Sequence, residues 1–80
     1  MADILLDARG LLCPFPVLKA RKALAAMKSG QCLEVLATDP GSQADFRAYC
    51  EATGYELRIS EQNGDEFRYL IKKTETGSAA

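Results

Sequence analysis

A cysteine followed by a pair of prolines is the feature of this sequence with the clearest chemical potential. Cys13 begins the segment Cys13-Pro14-Phe15-Pro16, just ahead of a stretch with helical periodicity. The start of a helix has unsatisfied backbone N–H groups and a positive dipole end, and both favour a negative charge. We therefore predict that Cys13 is a reactive cysteine and that the helix stabilises its thiolate.

Pro14 and Pro16 predict a rigid turn around this cysteine. Each proline fixes its own φ and restricts the preceding residue to extended conformations. Gly10 closes the preceding apolar run with a turn. We expect Gly10 and the prolines to present the Cys13 sulfur to solvent. The alternative is that Cys13 has only a structural role, as a small apolar side chain packed at the start of the helix.

The other reactive residue types narrow the chemistry. Histidine is absent, so Cys-His and Ser-His nucleophile pairs are excluded. The three cysteines are separated by 19 and 18 positions, which matches no zinc spacing and no Cys-x-x-Cys redox pair. We predict no metal, no cofactor and no disulfide framework. Cys32 and Cys50 are interpreted as packed, structural residues.

Charge is segregated along the chain despite a net charge of −1. Residues 14–30 carry four bases and no acid, whereas residues 31–80 carry nine acids against five bases. Lys19, Arg21 and Lys22 form either a solvated helix face or a surface that guides an acidic partner toward Cys13. Arg9 is a further cation expected in the vicinity of Cys13.

Size and composition predict one small domain. The chain has 80 residues, 48% hydrophobic and 26% charged, which leaves no room for a second domain of ordinary size. No run approaches the roughly 20 apolar residues of a membrane span, and the first residues lack the features of a signal peptide. We expect a cytoplasmic protein with no membrane span.

Periodicity predicts the elements that position Cys13. Apolar residues alternate, as in strands, over residues 32–38, 55–60 and 67–72, and a short apolar run covers residues 4–6. Helical spacing covers residues 17–28, and a second helix runs to Gly54, with Ser42 or Asp39 as its cap and Asp45 in its first turn. Asn63-Gly64 predicts a hairpin.

These elements, in the order β-α-β-α-β-β, predict an α+β fold. The expected architecture is a two-layer α/β sandwich in which a mixed four-stranded sheet carries both helices on one face. We assign residues 1–73 to a single domain. Residues 74–80 are predicted to form a disordered tail.

Several segments together resemble the TusA (SirA-like) sulfur-carrier family and its Cys-Pro-x-Pro motif. They are Leu6 to Pro16, the helix from Val17 to Leu24, the turn from Thr38 to Ser42 and the ending Tyr69 to Lys73. The resemblance spans about residues 4 to 73. It implies a bacterial two-layer sandwich that accepts sulfane sulfur as a persulfide on Cys13 and hands it to another protein.

The resemblance also implies partners. The sulfur donor would be a cysteine desulfurase or a rhodanese, and the acceptor a protein of tRNA 2-thiouridine synthesis, molybdenum-cofactor enzymes or sulfur oxidation. Phe15 occupies the variable motif position where the tRNA-thiolation member typically has glutamate, which counts against that pathway. A persulfide is largely anionic at neutral pH, so its transfer needs no histidine base.

Two other functions compete with sulfur transfer. The predicted element order is similar to that of the C-terminal domain of bacterial translation initiation factor 3, which would suggest a nucleic-acid-binding module. The net charge of −1 argues against that, because such modules are usually basic, and we expect no direct nucleic-acid binding. The second alternative is a thiol redox sensor in which Cys50 resolves a sulfenic acid on Cys13.

Overall fold

Two βα units and a C-terminal hairpin make up the structure, a computed structural model that describes residues 2–74. The elements follow the predicted order. They are β1 (Ile4–Ala8), α1 (Phe15–Ala26), β2 (Cys32–Ala37), α2 (Ser42–Thr53), β3 (Glu56–Asn63) and β4 (Glu66–Lys72). Neither helix is long and apolar enough to cross a membrane within this described range.

The four strands form one mixed sheet, as predicted, and their order in the sheet is β1-β2-β4-β3. β1 and β2 run parallel, and the other two pairs are antiparallel. Ala8, the last residue of β1, pairs with Ala37, the last residue of β2. Because parallel neighbours end at the same edge of the sheet, the loops after β1 and β2 emerge side by side. This edge carries the site.

Alternation along the central strands builds the core on one face of the sheet. The helices cover that face and share one hydrophobic cluster with it, which confirms the two-layer architecture. The ring of Phe46 in α2 stacks on that of Tyr69 in β4, with centroids 4.6 Å apart. The fully buried residues of the cluster are Ala8, Ala20, Leu24, Leu33, Val35, Ala37, Phe46, Tyr69 and Ile71.

The helix starts differ from the predictions. α1 begins at Phe15, two residues earlier than predicted, with Pro16 in its first turn as expected. Neither Ser42 nor Asp39 caps α2, whose N-cap is Gly41 without a side-chain bond. The Ser42 hydroxyl is buried and hydrogen-bonded to the Tyr69 hydroxyl at 2.7 Å, because it lies on the face of α2 that packs on the sheet.

A tight turn closes the C-terminal hairpin, and a hydrogen bond holds the chain just beyond its last strand. The predicted hairpin is present, with Gly64 and Asp65 as its two-residue loop, since Asn63 pairs with Glu66. Of the two loop residues, Gly64 alone has a positive φ, +61°, as the first position of a type II′ turn requires. Thr74, the first residue of the predicted tail, donates a hydrogen bond to the Gly54 carbonyl at 2.8 Å. Residues 75–80 of that tail lie outside the described residues.

Candidate functional site

Cys13 lies in the loop between β1 and α1, at the sheet edge where β1 and β2 end. Its side chain is exposed, as predicted. Pro14 is the N-cap of α1, and the peptide bond between Cys13 and Pro14 is cis. Pro16 is fully buried in the first turn. The loop therefore holds an exposed sulfur on a helix start that is anchored in the core.

Gly10 ties this loop to the end of β2. It adopts a φ of +84°, which side chains other than glycine rarely permit. Its N–H donates to the Thr38 hydroxyl oxygen at 2.9 Å. Gly10 thus turns the chain away from β1 and holds the Cys13 loop against the end of β2.

Asp39, in the loop between β2 and α2, links the two loops directly. Its Oδ2 accepts hydrogen bonds from the backbone N–H of Cys13 at 3.3 Å and from that of Gly41 at 3.1 Å. The sequence suggested Asp39 only as a helix cap. In the structure, its carboxylate is a bridge that holds the backbone of Cys13 in place.

Gly41 permits the second loop to approach the sulfur. A Cβ at this position would lie 2.9 Å from Asp39 Oδ2, 3.4 Å from Cys13 Cβ and 3.6 Å from Cys13 Sγ. The first distance is a steric clash with the bridging carboxylate. The missing side chain therefore preserves the bridge and leaves space beside the sulfur. The only sequence signal was the Asp-Pro-Gly turn at the end of a strand.

The Cys13 thiol donates a hydrogen bond to Asp45 Oδ2 in the first turn of α2. This bond, together with desolvation and the negative charges of Asp45 and Asp39, raises the pKa of Cys13 from 9.0 to about 11. The prediction of a stabilised thiolate was therefore wrong. These contacts favour the protonated thiol of Cys13 over its thiolate.

The prolines explain why the start of α1 does not stabilise a thiolate. Pro14 and Pro16 have no N–H to offer an anion. The N–H of Phe15 is already bonded to the Leu12 carbonyl at 2.8 Å, and that of Cys13 itself to Asp39. The residues that make this turn rigid also remove the donors expected at a helix start.

The basic residues are not grouped around the sulfur. Arg9 pairs with Asp7 at 2.9 Å and with Glu66 at 3.5 Å, so its charge is directed along the sheet edge rather than to Cys13. All three bases of α1 that were interpreted as either a solvated face or a surface for an acidic partner are exposed, namely Lys19, Arg21 and Lys22. Among the described residues, the charges that shift the pKa of Cys13 belong to Asp45 and Asp39.

An apolar surface that sequence reasoning missed lies beside Cys13. Leu12 is 70% exposed, Phe15 is 56% exposed and Leu18 is 45% exposed. Phe15 and Leu18 are three positions apart in α1, so they lie on one face, and Lys19 and Lys22 continue that face at helical spacing. We name these five residues the α1 face. Exposed apolar residues clustered next to a reactive group are typical of an interaction surface.

The other two cysteines lie apart from this loop. Cys50 is buried in α2 with 6% of its surface exposed, and burial raises its pKa to about 11. Cys32 is half-buried at the start of β2, and all three cysteines are free. In residues 2–74, no group of three or more His, Cys, Asp or Glu side chains is arranged to hold a metal ion.

Comparisons with known proteins point to one family. The family model described as Sulfurtransferase TusA matches residues 4–73. The Sulfur carrier protein TusA of Allochromatium vinosum is 56% identical over 69 residues, which cover 86% of this chain and 91% of that protein. The crystal structure of a SirA-like protein from Desulfitobacterium hafniense matches with a TM-score of 0.77 at 32% identity, covering 90% of this chain and 99% of that chain.

Proposed function

Because this chain belongs to the TusA family of sulfurtransferases and is a sulfur carrier, we propose that Cys13 is the residue on which the sulfur is carried, as a persulfide. The observation that supports this role is the exposed Cys13 sulfur, held between two loops that Asp39 bridges. Gly41 leaves space beside it. A second sulfur atom would extend the side chain by about 2 Å.

The transfer step needs no oxidant, metal or cofactor. The Cys13 sulfur attacks the terminal sulfur of a persulfide on the donor protein, and the donor's S–S bond breaks as the new one forms. The donor cysteine leaves as a thiolate and takes up the proton that Cys13 loses. Delivery to an acceptor cysteine is the same exchange in the opposite direction, with Cys13 as the leaving group. Sulfur is passed on with no net oxidation.

We propose that the α1 face is the surface on which donor and acceptor proteins dock. The donor is a cysteine desulfurase or a rhodanese, as the family implies. Leu12, Phe15 and Leu18 supply exposed apolar area beside Cys13, and the two lysines steer an acidic partner. Phe15 occupies the motif position at which this chain differs from the tRNA-thiolation member. We therefore propose that Phe15 helps to determine which acceptor protein binds.

Sulfur loading is the direct test of the function. After incubation with a cysteine desulfurase and cysteine, or with a rhodanese and thiosulfate, intact mass should rise by about the mass of one sulfur atom. Trypsin places the three cysteines in separate peptides, residues 10–19, 29–47 and 48–58. The added sulfur should appear in peptide 10–19. Sulfur found only in either of the other peptides would contradict the assignment to Cys13.

Charge reversal on the α1 face tests docking. Replacing Lys19 and Lys22 together by Glu should slow protein-to-protein sulfur transfer, and the wild-type rate should fall as salt rises, because steering is screened over roughly 8–10 Å. The measurement is the transfer rate from a loaded desulfurase at several salt concentrations. The single variants Lys19→Glu and Lys22→Glu are each compared with Lys28→Glu, which makes the same charge change beyond the end of α1. Rates that respond to neither charge nor salt would exclude this steering role.

The two competing functions find no support. The relative and the solved structure reported above are a sulfur carrier and a SirA-like protein, and we propose that this chain binds no nucleic acid directly. A tRNA mobility shift at physiological salt would contradict that. A sensor that bridges Cys13 and Cys50 would lose two hydrogens after mild peroxide treatment, whereas a carrier retains them.

Location and domain organisation complete the proposal. A carrier with free thiols works in a compartment that keeps thiols reduced, and we propose the cytoplasm. We also propose that residues 1–73 act as one domain, since a single hydrophobic cluster joins both helices to the sheet.

A further inference from the structure

Asp45 contacts the reacting atom of this protein, yet the transfer step requires no carboxylate. Its Oδ2 accepts the hydrogen bond of the Cys13 thiol. Asp45 lies in the first turn of α2, where an acid already gains from the helix dipole, but its side chain is directed at a sulfur in a loop 32 positions earlier. A role confined to α2 would not need this contact.

Among residues 2–74, every group that shifts the pKa of Cys13 raises it. Asp45 faces it from α2 and Asp39 from the loop after β2, and both raise its pKa. From β4, Tyr69 lies near the same carboxylates, with its hydroxyl held by Ser42 and its own pKa raised, so it is neutral at physiological pH. On β1, Asp7 is held by Arg9.

We propose that Asp45 is a guard residue for Cys13: by accepting the thiol proton in a hydrogen bond, it keeps the free carrier in its unreactive form toward small electrophiles and oxidants. Only thiolates react rapidly with such compounds. Cys13 then reacts only after a partner protein docks on the carrier and changes the surroundings of Asp45, so that the thiol can lose its proton. This inference deepens the proposed function and rests on it for its biological meaning, although its chemistry is testable without any partner.

The sulfur-loaded state fits the same role. Once Cys13 carries a second sulfur, its Sγ has no proton to donate, so the hydrogen bond to Asp45 that favoured the empty carrier is lost. The carboxylate then faces a persulfide that is largely anionic at neutral pH, and like charges repel. Asp45 therefore favours release of the sulfur over its retention, which suits a carrier.

The test is the pH dependence of Cys13 alkylation by iodoacetamide. Asp45→Asn should lower the midpoint of the alkylation curve from about pH 11 to pH 10 or below, because the hydrogen bond to the Asp45 carboxylate contributes most to the raised pKa of Cys13. Each unit raises the thiolate fraction about tenfold while lowering thiolate nucleophilicity roughly threefold. The alkylation rate at pH 7.5 should therefore rise about threefold or more. Labelling is read in the tryptic peptide 10–19, which contains Cys13 alone among the cysteines.

Matched variants separate the effect of the direct contact between Asp45 and Cys13 from the effect of the net charge of α2. Glu51→Gln removes one negative charge from the same helix away from the Cys13 loop, and should leave the midpoint unchanged. Asp45→Glu restores the charge and should return the midpoint toward the wild-type value. Asp45→Ser provides a second neutral variant in case the amide perturbs the fold, which circular dichroism would report. An unchanged midpoint in both neutral variants, or an equal shift in Glu51→Gln, would overturn the proposal.

The guard role and the carrier role can fail independently. If wild-type protein takes up no sulfur from either donor system but Asp45→Asn still shifts the alkylation midpoint, the proposed carrier site is wrong and the thiol-protonation role of Asp45 stands. If loading occurs at Cys13 while the midpoint of Asp45→Asn equals that of the wild type, the carrier site stands and the guard role is overturned.

Discussion

Replacing Cys13 by serine should abolish sulfur loading while leaving the fold intact. A hydroxyl oxygen cannot form a persulfide, so no mass gain is expected in this variant from either donor system. The side chain is exposed, and a serine hydroxyl can still donate to Asp45. The free energy of unfolding should therefore change by no more than about 0.5 kcal/mol. Intact mass measures the loading, and denaturant unfolding measures the stability.

The other cysteines provide the matched controls for this experiment. Cys32→Ser and Cys50→Ser should both retain loading. Cys50 is buried, so the serine variant should lose about 1–3 kcal/mol of stability if its hydroxyl finds no partner. Loading that survives in Cys13→Ser would refute the site, and loss of loading in Cys50→Ser, with the fold preserved, would indicate a two-cysteine mechanism.

Much of the fold follows from local patterns in the sequence. Alternation over residues 32–38 and 67–72 predicts strands with one buried face, and the helices cover that face. The hairpin follows from Asn63-Gly64, although the loop proper is one residue further on. These features depend on a few neighbouring residues, which is why periodicity and turn chemistry were sufficient to predict them.

The chemical state of Cys13 could not be predicted in the same way. Asp39 and Asp45 are 26 and 32 positions away from it in sequence, and only the parallel pairing of β1 with β2 brings their loop and helix to the sulfur. Local reasoning placed Cys13 correctly at a helix start but assigned it the wrong pKa shift. A helix start normally offers free N–H groups to an anion, but Pro14 and Pro16 have none. The two carboxylates that raise the pKa of Cys13 are too distant in the sequence to be recognised from local patterns.

Arg9 shows a smaller failure of the same kind. Its short separation from Cys13 in the sequence suggested proximity. However, Asp7, the penultimate residue of β1, is exposed, and the Arg9 guanidinium binds its carboxylate at 2.9 Å. The hydrogen bond and charge of Arg9 lower the pKa of Asp7 to about 2. Arg9 therefore binds the carboxylate of Asp7, two positions away in the sequence, and not Cys13, four positions away.

The second large effect is expected from Phe46, which is fully buried and stacked on Tyr69. Phe46→Ala should destabilise the protein by about 3–5 kcal/mol, since a cavity replaces a ring in the core. For a domain of this size, that loss corresponds to a fall in Tm of roughly 12 °C or more. Thermal and denaturant unfolding measure it. A loss below about 1 kcal/mol would show that the core rearranges around the missing ring.

Phe15→Ala makes the same chemical change on the surface. It should slow sulfur transfer and leave the stability of the protein nearly unchanged. Phe15 is 56% exposed on the α1 face, so its removal should alter stability by about 0.5 kcal/mol or less. Transfer from a loaded desulfurase should slow, because docking loses apolar contact area beside Cys13, whereas Cys13 alkylation by iodoacetamide should remain at the wild-type rate. If Phe15→Ala transfers sulfur at the wild-type rate, Phe15 makes no contact that matters for docking, and the docking surface must be sought on other residues around Cys13.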